Sequence, residues 1–256
     1  MFRMLKLNPP HGWAAVAWEL GIVTLGVLVA LGVQQVAEMA NWRSKANDGQ
    51  ERLKAELLIN GAYMAEQVMV APCIKAQVDR LTARVEASTT LLDPSPLIST
   101  SQGVTTLRFP SRPWTTQTWE ALQQDGTCNH LPGDVQATLG QIFEKIGQLR
   151  DLNVKSDDGL GKLRLLGQKI ALTPELKADL LSALWGQVQR SQVSSLNASQ
   201  TLMLYRKIDF APTFAEIETR QAALTPGRSG DLRTLQYCRS QGLPIADWRA
   251  DVDHAR

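Results

Sequence analysis

The sequence is poor in the side chains that carry most protein chemistry. Its 3 histidines, His11, His130 and His254, stand far apart and outside any His-Glu-x-x-His run, so a helix-borne zinc site has no support. Its 3 cysteines, Cys73, Cys128 and Cys238, form no Cys-x-x-Cys pair, which excludes zinc-knuckle and thioredoxin-like patterns. No Gly-x-Ser-x-Gly elbow occurs, so a hydrolase of that type is unsupported. Gly159-Leu160-Gly161-Lys162 fails as a phosphate loop, because Ser156 stands where glycine is needed and Leu163 where serine or threonine is needed. Asp157-Asp158-Gly159 lacks the alternating oxygens and terminal glutamate of a calcium loop. Excess charge is missing as well: 27 basic and 25 acidic residues leave +2, without the basic face of a nucleic-acid binder. The expectation is a protein with no cofactor, no metal, no nucleic-acid partner and no enzymatic activity.

What is present is one long apolar run. Leu20 to Val33 carries no charge and only Thr24 as a polar side chain, and extending it back to Trp13 admits only Glu19. A helix crossing the hydrocarbon core needs about 20 mostly apolar residues, so residues 13–36 read as a transmembrane anchor after a tail at 1–12. The run is longer than the apolar segment of a cleaved signal, and Ala37 and Ala40 are spaced wrongly for a small-x-small cleavage site. Trp13 and Trp18 at one end and Trp42 at the other fit interface anchors. From Trp18 to Trp42 is 24 residues, about 36 Å of helix at ~1.5 Å per residue. Arg3 and Lys6 precede the span, whereas Arg43, Lys45, Arg52 and Lys54 follow it. A plain count of these charges would put the C-terminal side in the cytoplasm. Long domains translocate largely regardless of charge, however, and a short basic tail favours a cytoplasmic N-terminus.

Glu19, Val23, Gly26 and Ala30 recur on one helix face, continued by Val33 and Ala37. Gly26 and Ala30 form a small-xxx-small pair that lets two spanning helices approach. Glu19, Val23, Gly26 and Ala30 are the candidate helix–helix contact, set against small residues being simply frequent in spanning helices and Glu19 being solvated at the headgroups.

The anchor and its exit follow a pattern: Glu19, then Ile22, Val23, Gly26, Val27, Leu28, Ala30 and Leu31, then Gln34 and Gln35, then Trp42-Arg43, and a Glu56-Leu57 pair in an amphipathic helix. In this the chain resembles a group of bacterial single-pass membrane proteins of unknown role, over roughly its first quarter. The resemblance implies an anchor in the bacterial inner membrane bearing a helical domain. It brings no catalytic residue with it.

Past the anchor the periodicity stays helical. Leu53, Leu57, Met64 and Val68, then Ile74, Val78, Leu81 and Val85, mark membrane-proximal helices over 37–87. Gly49 and Gly61 are expected to loosen them, and Pro72 to end or kink them. Residues 88–113 are rich in breakers and read as a long irregular loop, with a β-like run at Val104–Phe109. A helix is expected over Trp114–Gln124, and another follows Pro132 through Val135, Leu139, Ile142, Ile146 and Leu149. Residues Lys155–Lys162 interrupt, Leu163, Leu166 and Ile170 resume, and Thr173-Pro174 opens a long helix toward Tyr205. Two shorter helices close the chain. The class is all-α: one N-terminal transmembrane helix continuing into a bundle, with 88–256 packing on 37–87.

In an oxidising compartment the cysteines give one bridge and a leftover thiol. Three pairings are open, with Cys73–Cys238 the candidate; three partly buried thiols are the alternative. Arg112, Trp114 and Trp119 form the candidate binding patch, since Trp and Arg dominate hot spots, against core packing of the same residues. The expected function is a non-enzymatic interaction or scaffolding module on the extracytoplasmic face, with the lipid bilayer, a second copy or an envelope protein as partners. The alternative is a ligand-sensing helical domain that signals through the membrane helix.

Overall fold

The computed structural model describes residues 12–100, 103–224 and 233–254. Helix dominates them: α1 (Gly12–Ala87), α2 (Gln117–Gln124), α3 (Gly133–Leu163), α4 (Pro174–Tyr205), α5 (Phe214–Ala222), α6 (Thr234–Ser240) and α7 (Trp248–His254). The fold is all-α. The chain divides into two compact units, residues 1–48 and 49–256.

In the first unit α1 is long and apolar enough to cross a membrane. Ile22, Leu25, Leu28 and Leu31 are all exposed, so the helix is apolar all round rather than on one stripe, as a helix in lipid is. Its one polar side chain between Leu20 and Val33, Thr24, donates to the Leu20 carbonyl at 2.7 Å, which satisfies the hydroxyl within the helix.

The second unit is built on the rest of α1. Leu53, Leu57, Met64, Val68, Ile74, Val78, Leu81 and Val85 are all buried, so the periodic face of the sequence is the face that packs. Pro72 lies inside α1, which runs 76 residues to Ala87, so the expected break does not occur. A proline removes one backbone donor and costs about 3 kcal/mol in a helix interior. Here it is flanked by Val70, Cys73 and Ile74, all buried without exposure, and that packing outweighs the lost bond.

Gly49 and Gly61 do not loosen the helix; they let neighbours approach. A Cβ at Gly61 would lie 3.0 Å from Ile217 Cδ1 and 3.3 Å from Tyr205 Cε2, and one at Gly49 3.2 Å from Leu122 Cδ2. Gly61→Leu should therefore destabilise the unit by about 1 to 3 kcal/mol through overpacking, read as a lower melting temperature of the purified full chain. An unchanged melting temperature would show that Ile217 yields freely.

Residues 155–162 do not interrupt α3, which is continuous to Leu163. At Gly159 two side chains of α4 lie close: a Cβ there would lie 2.6 Å from both Arg190 Nη2 and Gln187 Nε2. The two helices run antiparallel, as bonds from Lys145 to Gln200, Asn197 to Gln148 and Gln187 to the Ser156 carbonyl record. Beyond Leu163 the expected helix does not resume. A 3-10 turn, Arg164–Gly167, leads instead to strand β4 (Ile170–Ala171), which pairs antiparallel with β1 (Leu91–Leu92). Gly167 sits against Leu97, whose side chain occupies the space a Cβ would need. The 88–113 stretch thus holds β1 and a hairpin of β2 (Ile98–Thr100) with β3 (Gly103–Thr105). The β-like run stops at Thr105 instead of reaching Phe109.

Thr173 caps α4 as expected, accepting from Leu176 N at 3.2 Å. Among the described residues three short helices follow, one more than the sequence suggests. The first, α5, opens with a capping box: Glu216 Oε2 accepts from Thr213 N at 2.7 Å and Thr213 Oγ1 accepts from Glu216 N at 3.3 Å. Lys54 adds an ion pair at 3.1 Å. The Thr213 N–H first, then the Lys54 and Thr213 side chains, lower the Glu216 carboxyl from 4.5 to about 2. A depressed carboxylate contributes stability that is full above its unfolded pKa and fades as pH falls through the folded one. The difference in melting temperature between wild type and Glu216→Gln should therefore shrink as pH drops from about 4.5 toward 2. Parallel curves over that window would refute the capping role.

Candidate functional site

The polar side chains of α1 point at one stretch of chain. Glu56, Asn60, Glu66, Gln67 and Gln77 are all buried, and each meets the segment 108–119, which is non-helical up to Thr116 and enters α2 at Gln117. Gln77 Oε1 accepts from Arg108 N at 2.9 Å, and its Nε2 donates to the Arg108 carbonyl at 3.3 Å. Gln67 Nε2 donates to the Pro110 carbonyl at 3.4 Å. Asn60 Nδ2 donates to the Thr115 carbonyl at 2.8 Å while its Oδ1 accepts from Thr115 N at 3.2 Å. Glu56 takes the Thr115 hydroxyl at 2.5 Å and the N–H groups of Thr118 and Trp119 at 3.2 Å each. Segment and helix run antiparallel, and these side chains supply the bonds a neighbouring strand would have given.

This explains why α2 begins at Gln117 and not at Trp114. Thr115, ahead of the helix, is held by Asn60 and Glu56, and Glu56 caps the first turn of α2 with a carboxylate from another helix. The Thr116 side chain makes no cap bond of its own.

Midway along the row lies a charged cluster. Glu66 is fully buried, and Arg112 grips it through Nε at 2.6 Å and Nη2 at 2.9 Å. Arg233 Nη2 stands 3.6 Å from Glu66 Oε1. The Arg112 guanidinium also lies 5.7 Å from the Tyr63 ring centroid, and Tyr63 packs edge-on against Trp114 at 5.9 Å. Asn153 Nδ2 donates to the Arg112 carbonyl at 3.0 Å. Burial lowers the pKa of Arg233, and the positive charges of Arg112 and Arg239 push the same way against the pull of Glu66.

The candidate binding patch is therefore corrected. Trp114 and Trp119 are both buried, the latter stacked on Phe143 at 5.3 Å, and Arg112 is committed to Glu66. Trp114 lies ahead of α2 and Trp119 within its first turn, and both indoles are buried. Of the residues expected to meet a second span, Glu19, Val23, Gly26 and Ala30 lie on the exposed α1 surface of the first unit, and a Cβ at Gly26 would meet nothing within 4 Å. Trp13 and Trp18 are exposed and Trp42 is half-buried, with Lys45 Nζ 4.5 Å from its ring centroid.

Cys73 and Cys238 form a disulfide that joins α1 to α6 across 165 residues, with both side chains fully buried. Cys128 is free and buried. Desolvation, then the nearby Asp125 charge, raises its pKa and keeps it a thiol. Among the described residues, no group of three or more His, Cys, Asp or Glu side chains is arranged to hold a metal ion.

No family model, curated protein or solved structure matches this chain. Its chemistry is therefore argued from its own residues alone.

The sequence reading missed Asn60, Glu66, Gln67, Gln77 and Arg233, and named Glu56 only in the Glu56-Leu57 pair, with no role. Part of the signal was there. Glu56, Asn60 and Gln67 stand at i, i+4 and i+11, a polar stripe beside the Leu53–Leu57–Met64 face, where a solvent-facing stripe would not be expected.

Proposed function

We propose that the protein is anchored in the bacterial inner membrane by residues 13–36, with a cytoplasmic N-terminus and its helical domain in the periplasm. There it works as a non-enzymatic interaction or scaffolding module, with the bilayer and either a second copy or an envelope protein as partners. The observation that carries this reading is the Cys73–Cys238 disulfide. Disulfides persist in oxidising compartments and are rare in a reducing cytoplasm, which supports export of everything after the anchor despite the basic residues at 43–54. The buried carboxylates support the non-enzymatic reading, because Glu56 and Glu66 are each engaged by several donors of their own fold.

Fusions of alkaline phosphatase and of a fluorescent protein after Lys54 and after Arg256 test it. Phosphatase activity without fluorescence is expected; fluorescence without phosphatase activity would overturn the assigned side. Should two copies meet through the span, Gly26→Leu should reduce dimerisation several-fold in a membrane association assay, since a bulky side chain keeps the helices apart. An unchanged signal would reject that contact.

A further inference from the structure

The outward face of α4 is left uncovered by the described residues. Ala178, Ser182, Trp185, Gln189, Gln192 and Leu196 are all exposed and follow one another at spacings of 4, 3, 4, 3 and 4. That is the heptad spacing of a coiled-coil seam. It lies apart from the row Leu180, Leu184 and Val188, which α4 buries in the core. Trp185 is 61% exposed and Leu196 56%, with Val193 beside them also open to solvent. No charge falls on the seam, and the flanking positions between Leu181 and Ser195 carry none either. The exposed face of α3 differs, with Glu144, Arg150, Asp151 and Lys155 on it. A solvated helix face is normally charged, whereas loss of charge around an exposed tryptophan is the composition of a contact.

We propose that this face of α4 docks a second copy of the chain, the two α4 helices lying parallel and in register along the seam. Symmetry and direction choose that occupant. In a parallel pair each seam residue meets its own copy, so any charge on the seam would meet a like charge. Here Gln189 and Gln192 meet themselves, and an amide offers both a donor and an acceptor. Trp185 meets Trp185 at the centre. Asp179, the first charge beside the seam, falls opposite Pro174 of the second copy and not opposite another carboxylate. As for direction, Lys177 Nζ donates to the Glu86 and Ser88 carbonyls at 2.8 and 2.9 Å, and Tyr205 Oη donates to the Leu57 carbonyl at 3.0 Å. Thus α4 runs antiparallel to this part of α1. A parallel α4 pair points the Gly49 ends of both α1 helices the same way, as two chains anchored in one bilayer require. The seam deepens the second-copy reading given above and rests on it.

The test is oxidative cross-linking of the full chain in isolated membranes, with Cys128→Ser as background so that the added cysteine is the one thiol outside the Cys73–Cys238 bridge. Gln189→Cys should form a disulfide-linked dimer at least about tenfold more readily than Glu144→Cys, exposed on α3, because docking raises the effective concentration of the two thiols. Adding Trp185→Glu sets two carboxylates against each other and should cut that dimer at least about fivefold. The side chain is exposed, so the melting temperature of the variant should stay near that of wild type. Leu196→Glu, also exposed, gives the same readout if Trp185→Glu does not fold. Cross-linking of Gln189→Cys no higher than that of Glu144→Cys, or unmoved by either glutamate, would overturn the seam. If the membrane association assay still reported a dimer, the second-copy reading would survive that loss; a monomer in both assays would remove it too. A mixed adduct of Gln189→Cys with another protein in place of the dimer would give the face to an envelope partner and overturn self-docking.

Discussion

Replacing Glu66 by glutamine should lower the unfolding free energy by about 3 to 5 kcal/mol, the usual result of removing one partner from a buried ion pair. The carboxylate is fully buried and contacted by Arg112 at 2.6 Å and by Arg233 at 3.6 Å. An amide of the same shape would leave the two guanidiniums facing each other with nothing between them to absorb their charge. It would also turn an N–H donor toward a group that only donates. The measurement is urea unfolding of the full chain in detergent, followed by tryptophan fluorescence. Glu86→Gln on the exposed end of α1 serves as the control and should change little. A loss below about 1 kcal/mol for Glu66→Gln would mean that the cluster relaxes or fills with water, and the picture of a pinned ion pair would fail.

The second large effect belongs to the disulfide. Cys73 and Cys238 are 165 residues apart, and for a loop of that size the chain-entropy model gives about 5 kcal/mol of stabilisation, with native bridges usually measured at about 2 to 5. Cys73→Ser/Cys238→Ser should therefore lose several kcal/mol against wild type in the same urea experiment, and reducing agent should bring wild type down to the double variant. In Cys128→Ser the reductant should still produce the full drop. If reduction left wild type unchanged, the bridge would contribute nothing to stability.

How much of this was legible beforehand divides along physical lines. Burial of apolar periodicity was legible: Leu53, Leu57, Ile74, Val78, Leu139 and Ile146 are core, because a face repeating at the helical period has few other places to go. The cap at Thr173 was legible because it is local. Breaker residues misled. Pro72 and Gly159 carry helix-disfavouring propensities, but propensity is a weak prior, and packing on both sides holds the helix through them. The buried polar row was missed because its partners lie 31 to 63 residues away. Neither a carboxylate at Glu66 nor an arginine at Arg233 announces, by spacing, that the other exists. The same distance hid the late start of α2, where Asn60 holds Thr115 and Glu56 caps the first turn.

The order of the cysteines along the chain has a consequence for biogenesis. Cys73 emerges from the ribosome first, Cys128 next and Cys238 last, yet the bond skips the middle one. Chains are made N-terminus first, so if the domain is exported as proposed, an oxidase meets Cys73 beside the wrong partner before the right one has arrived. Correct pairing then requires either that Cys128 is sequestered early or that an isomerase repairs the early product. Cys128 is suited to early sequestration. Its thiol is buried in the 3-10 turn Thr127–His130 and its pKa is raised, and the protonated form is the poor nucleophile in exchange. With the domain in the periplasm as proposed, cells lacking a periplasmic isomerase would on this account accumulate little of the Cys73–Cys128 isomer, and a quiet Cys128 would leave Cys73 available for the cysteine that is made last.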